Sequence, residues 1–234
     1  MKIKIKREEG FVEYEVSENL LLLRALYEIK ERVDSSLQFD SGCRSMVCGA
    51  CSVRVNGKEV LACATKISDG DEVEPLAYHE LVKDLRVKKG SKLKTIAHSK
   101  AYLNEYQEAL ITPEDEKKTA LQSDCILCDS CYSACPVMEV NSSFLGPFAL
   151  TRAYRYVVDK REANAKAIID AIQENGVWDC TLCGECTAVC PKGIDPKGDI
   201  MQLRNLSAGF GYMDPNFSSG GFGGGFGFDP NGGF

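Results

Sequence analysis

Twelve cysteines stand in this chain of 234 residues, and they fall into three groups of four: Cys43, Cys48, Cys51 and Cys63; Cys125, Cys128, Cys131 and Cys135; Cys180, Cys183, Cys186 and Cys190. Thiolates bind iron and zinc, and paired thiols form disulfides, so their spacing has to separate three chemistries. Disulfide frameworks suit small secreted chains. This chain is large, and its start, MKIKIKREEGFVEYEV, alternates polar and apolar residues instead of building the apolar run of an export signal. Structural zinc usually gathers two separated cysteine pairs. Here three close cysteines and a fourth followed by proline occur twice, which points to polynuclear iron.

The first group reads C-x4-C-x2-C-x11-C, within CRSMVCGACSVRVNGKEVLAC. That is the plant-type ferredoxin spacing for a 2Fe-2S cluster held by Cys43, Cys48, Cys51 and Cys63. Small Gly42, Gly49 and Ala50 let backbone N–H groups approach the sulfurs. The other two groups, CILCDSCYSACP and CTLCGECTAVCP, are both C-x2-C-x2-C-x3-C-P, the run of bacterial two-cluster ferredoxins, whose fourth cysteine crosses to the other cluster. The expected 4Fe-4S ligand sets are therefore Cys125, Cys128, Cys131 and Cys190, and Cys135, Cys180, Cys183 and Cys186. With Cys183 outside its set, as a buried free thiol, the last cluster would be 3Fe-4S. Crossing ligands require the two runs to be neighbours in space. Pro136 and Pro191 either stop the turn after the crossing cysteine or simply end a helix. Arg44 and Lys192, each near a ligand, could tune a potential by their charge; the plainer reading is solvated surface charge.

The elements that must position these groups are legible in part. Residues 2 to 6 and 11 to 16 alternate like strands, and Leu22, Leu26, Ile29 and Val33 recur at helical spacing after a Ser17 cap. Strands 52 to 55 and 58 to 61, turned at Asn56-Gly57, complete a small sheet. Residues 1 to 102 read as a β-grasp ferredoxin-like domain. Between the later runs the pattern is helical, with Ala165, Ile168, Ile169 and Ile172 on one face and Gly176 where the helix ends. Residues 103 to 207 read as an all-helical two-cluster domain, so the fold class is α+β. Trp178, Tyr154 and Tyr156 read as core packing. His79 and His98 have no cysteine or carboxylate pattern near them and default to surface or satisfied positions.

The net charge of −6, with 28 basic residues interspersed among 34 acidic ones, argues against a nucleic-acid partner. No apolar run approaches the roughly 18 residues of a membrane span, so membrane contact is expected only through partners. The last 27 residues, 208 to 234, hold 10 glycines and 6 phenylalanines with no Lys or Arg. They read as a flexible tail, or as a segment whose spaced phenylalanines dock on a partner. No G-x-G-x-x-G follows a strand and no nucleophile-base pairing recurs near a plausible pocket.

The order of these modules, together with EVEPLAYHELVKDLRV after the first group, GPFALTRAYRYVVDKRE between the runs and CPKGIDP after the last, resembles the iron-sulfur subunit of succinate dehydrogenases and fumarate reductases. The resemblance spans residues 1 to about 206. It implies a respiratory oxidoreductase complex in which this subunit, with no FAD and no substrate chemistry of its own, in agreement with the missing motifs, relays electrons between an FAD-containing flavoprotein interconverting succinate and fumarate and a membrane-anchor or cysteine-rich quinone-reactive subunit. It implies peripheral attachment to the cytoplasmic membrane, on the cytoplasmic side in preference to the periplasmic one. In the family, members with a 3Fe-4S third cluster carry a non-cysteine residue where Cys183 stands, and many quinone-binding members have His at the position of Thr181 and Trp at that of Val140. None of the three occurs here, so the resemblance is closest to the branch whose third cluster is 4Fe-4S. The competing expectation is an iron-sulfur arm of another flavoenzyme, heterodisulfide-reductase-like or glycerol-phosphate-oxidising, or a free-standing ferredoxin.

Overall fold

The computed structural model describes residues 1–215. Most of the tail expected over 208 to 234 lies outside the described residues. Strand β1 (Lys2–Arg7) alternates lysine and isoleucine, so Ile3 and Ile5 point inward with no exposure while the lysines face out. It pairs antiparallel with β2 (Gly10–Glu15), with Ile3 opposite Tyr14 and Ile5 opposite Val12. Helix α1 (Leu22–Arg32) then crosses the sheet face, burying Leu22, Leu26 and Ile29. Strands β3 (Ser52–Val55), β4 (Lys58–Leu61) and β5 (Glu72–Glu74) complete a sheet of order β2-β1-β5-β3-β4. Only the central β1-β5 pair is parallel, which is the arrangement of a β-grasp domain.

Two details differ from expectation. The residue before α1 is Leu21, which has no side-chain cap; Ser17 instead donates to Glu28 Oε1 at 2.8 Å, because the chain runs extended past it to a bridge between Leu21 and Lys66. Val33 ends the helix and is exposed, since the chain turns away there toward Asp34. Asp34 is held by Arg7, as is Asp84 from the two-stranded ribbon region of β6 (Leu81–Lys83) and β7 (Arg86–Val87).

The second half is helical: α2 (Ser91–His98), α3 (Pro113–Ser123), α4 (Ser130–Ser133), α5 (Val137–Val140), α6 (Pro147–Val157), α7 (Ala165–Ala171), α8 (Glu185–Ala188) and α9 (Pro196–Gly209). Its core gathers Phe148, Leu150, Ile168, Ile169, Ile172, Ile200 and Leu203, with Trp178, Tyr154 and Tyr156 packed against it. Ala101 belongs to this core, and Ile96 packs against it, although both precede residue 103. Caps start the helices where the sequence supplies them: Thr112 with Asp115 forms a capping box before Pro113, and Asp195 accepts from Gly198 N before the long α9. Helix α7 ends at Ile172, and residues 173–177 form a wide π turn with Asn175 at φ 51°. A Cβ on Gly176 would stand 3.3 Å from Leu145 Cδ1.

Buried polar groups join the halves. Ser133 Oγ donates to Glu59 Oε1 and accepts from Ala77 N, both at 2.8 Å. His79 is buried at this seam, edge-on to Tyr132 and 3.6 Å from Asp129, so it has a carboxylate neighbour that the sequence pattern did not reveal; His98 is exposed.

Candidate metal centres

The loop over residues 42–51 wraps around its own sulfurs. Cys43 Sγ accepts N–H groups from Ser45 (3.4 Å), Val47 (3.3 Å) and Cys48 (3.3 Å), and Cys48 Sγ accepts from Cys43 N (3.3 Å) and Ala50 N (3.5 Å). Such a nest favours sulfur as an anion. Donation led by Ser45 brings the Cys43 thiol down to about 6. Positive φ angles at Arg44, Met46 and Gly49 aim these N–H groups inward. A Cβ on Gly42 would lie 2.8 Å from Cys48 Sγ, so only glycine leaves the space. Cys43 and Cys48 are exposed, whereas Cys51 and Cys63 are buried against the sheet. Burial pushes Cys51 up to about 11, with Cys63 beside it. Arg44 stacks on Tyr27, 5.0 Å from the ring centroid.

The two later runs repeat one another in backbone as well as in spacing. Leu127 (φ 51°) and Asp129 (φ 66°) correspond to Leu182 (φ 57°) and Gly184 (φ 90°), and a short helix follows each, α4 and α8. Between the runs the fourth cysteines change places. Cys125, Cys128, Cys131 and Cys190 line one cavity, closed by Ile126, Leu127, Phe148 and Ile194, with Lys192 at its edge. Burial raises the Cys131 thiol well above its ordinary value, and Cys128 and Cys125 add to it. Cys135 sits with the other run: burial raises it, and Cys180 and Cys183 raise it further. Burial pushes Cys186 up to about 12, with Cys180, Cys135 and Cys183 contributing. Cys183 itself is exposed. Helix α4 ends at Ser133, three residues before Pro136, which stands at the N-terminal cap of α5.

Among the described residues no three His, Cys, Asp or Glu side chains converge as they would around one ion. A cluster holds each thiolate at a separate iron corner, so sulfur-only sets that share a space without meeting at a point fit polynuclear iron. The raised thiols would ionise on binding, as a coordinating thiol does. Sequence reasoning missed Arg204, which fixes the third run from outside by donating to Val177 O, Trp178 O and Cys180 O. Its position on α9, far along the chain, gives no local signal.

Residues 3–94 match the model of a 2Fe-2S iron-sulfur cluster binding domain, and residues 122–194 that of a 4Fe-4S dicluster domain. The fumarate reductase iron-sulfur subunit of Mycobacterium tuberculosis is 33% identical over 88% of this chain and 89% of its own length. An uncharacterised iron-sulfur protein of Methanocaldococcus jannaschii is 37% identical over 92% of this chain, which spans only 45% of that longer protein. Among solved structures, a chain of the Mycobacterium smegmatis Sdh1 complex superposes with a TM-score of 0.78 over 91% of this chain and 97% of its own, at 20% identity, which establishes likeness of fold.

Proposed function

The chain belongs to the iron-sulfur subunits of the succinate dehydrogenase and fumarate reductase family, and on that premise we propose that it passes electrons between a flavoprotein interconverting succinate and fumarate and a membrane-anchor or cysteine-rich quinone-reactive partner. The ligand sets we assign are Cys43, Cys48, Cys51 and Cys63 for 2Fe-2S; Cys125, Cys128, Cys131 and Cys190 for 4Fe-4S; and Cys135, Cys180, Cys183 and Cys186 for a second 4Fe-4S. Bound there, these groups supply one-electron exchange at iron. The residues of the chain do the rest. The N–H groups around Cys43 and Cys48 stabilise anionic sulfur. The apolar walls around Cys125 and Cys131 keep water from that set. Cys183, exposed on the third run, turns that set toward a partner.

The observation that carries the reading is the pairing of each run's fourth cysteine with the other run, in a chain that matches a fumarate reductase iron-sulfur subunit over 88% of its length. Among the described residues no helix is long and apolar enough to cross a membrane, and attachment at the cytoplasmic face through partner subunits is part of the proposal. So is docking of the 208 to 234 tail on one of them. Purification under anaerobic conditions tests the whole: a large FAD-containing protein with fumarate reductase activity should accompany the chain. Purification with a flavoprotein of other activity, or with none, contradicts it.

A further inference from the structure

The first and second cysteine centres meet at one backbone contact. Gly49, between Cys48 and Ala50, has φ +67°, and a Cβ there would lie 2.8 Å from both Cα and Cβ of Cys128 and 3.1 Å from Ile126 O. The loop of the sheet domain therefore presses its bare backbone onto a cysteine of the helical domain. Two lysines from the segment linking the domains hold this contact. Lys89 Nζ donates to Ala50 O at 2.9 Å, one residue beyond Gly49. Lys92 Nζ donates to Leu127 O at 2.6 Å, one residue before Cys128, and lies 3.0 Å from Asp129 Oδ2, one residue after it. Each lysine grips one of the two loops, and both ammonium groups are brought beside the seam.

We propose that Lys89 and Lys92 are positioning residues for electron passage between the first and second centres, clamping Gly49 against Cys128 and placing positive charge where each centre gains negative charge on reduction. The proposal rests on the assignment of iron-sulfur clusters to these centres. Electron tunnelling weakens steeply with distance, so a contact without a side chain matters most at the crossing point. Charges that are half-buried are screened less than surface charges, so the ammonium groups favour the reduced forms. Asp129 offsets part of this charge, and its loss of Lys92 would leave a buried carboxylate that disfavours reduction further. His79, 3.6 Å from Asp129, and the buried Glu59, which accepts from Ser133, are further ionisable groups at the seam.

The test uses anaerobically purified full-length holoprotein, with iron, acid-labile sulfide and EPR-monitored redox titration of each centre. Lys89→Met should lower the potential of the first centre and Lys92→Met that of the second, each by about a tenfold fall in the reduced-to-oxidised ratio, about 59 mV for a one-electron couple. Lys→Arg variants, which keep the charge, should restore most of it; where a Met variant loses iron, the Gln variant is titrated in its place. Gly49→Ala, whose Cβ would push Cys128 away, should weaken the magnetic coupling between the two reduced centres in those molecules that retain iron in both. Potentials unmoved by neutral variants that keep full iron, or shifted alike by Met and Arg, overturn the proposal and leave the cluster assignment standing. A wild type without iron overturns both.

Discussion

Asp199 offers a stability prediction whose size follows from its surroundings. It lies on the inward face of α9 and is 5% exposed, so its charge is desolvated on folding. Oδ1 accepts from Gln122 Nε2 at 2.8 Å, while the Thr151 hydroxyl lies near enough to ease the carboxylate's charge and Gln122 Oε1 has no hydrogen-bond partner. Burial raises its carboxyl from 3.8 to about 6, with Gln122 and Thr151 opposing and Asp195 adding. The folded state thus holds the proton more tightly than the unfolded chain. Stability is lost as pH rises from about 4 to about 6, and the whole penalty, about 3 kcal/mol for a rise of about two units, is present above that. Asp199→Asn removes the ionisation, and its amide can donate to Thr151 Oγ1 or Gln122 Oε1. At pH 7.5 the variant should be up to about 3 kcal/mol more stable, or about 6–12 °C in Tm for a chain of this size. At pH 5 the gain should fall to about half. Thermal melts of holoprotein at matched scan rates, followed by visible absorbance, measure the difference. A variant no more stable than its parent at pH 7.5, or one with the same gain at pH 5, refutes the reasoning.

Cys183→Ile should gain the EPR signal of an oxidised 3Fe-4S cluster that anaerobic wild type lacks; that signal in the wild type would remove Cys183 from the ligand set. Gly42→Ala, whose Cβ would stand 2.8 Å from Cys48 Sγ, should lose the first centre alone, seen as about two iron and two sulfide fewer per chain, and unchanged metal content would contradict the packing. Arg7→Met strips the partner from Asp84, a buried carboxylate 2.7 Å from Arg7 Nε, and should cost about 3–5 kcal/mol in chemical denaturation, a loss that a variant within about 1 kcal/mol of wild type would disprove.

How much of this was legible depended on whether the signal was local. Alternation in KIKIKR predicts the inward Ile3 and Ile5, and the Asn56-Gly57 turn between β3 and β4 follows from its residues. The cysteine spacing places the two runs side by side, and Cys190 does line a cavity with Cys125, Cys128 and Cys131, while Cys135 lies near Cys180 and Cys183. Ser17 misled because a good capping residue competes with a strand that continues to Leu21. Leu127 and Leu182 adopt positive φ, a conformation their side chains disfavour, because the loop geometry overrides local preference. Lys89, Lys92, His79 and Arg204 were invisible as site residues, since each acts on a loop tens of residues away and lysine or arginine in sequence reads as surface charge.

Metal and sulfide analysis of the anaerobically purified chain tests the central claim most directly. Three sulfur-only sets predict about ten iron and ten acid-labile sulfide per chain, from one 2Fe-2S and two 4Fe-4S clusters. Stoichiometric zinc without sulfide would contradict the account.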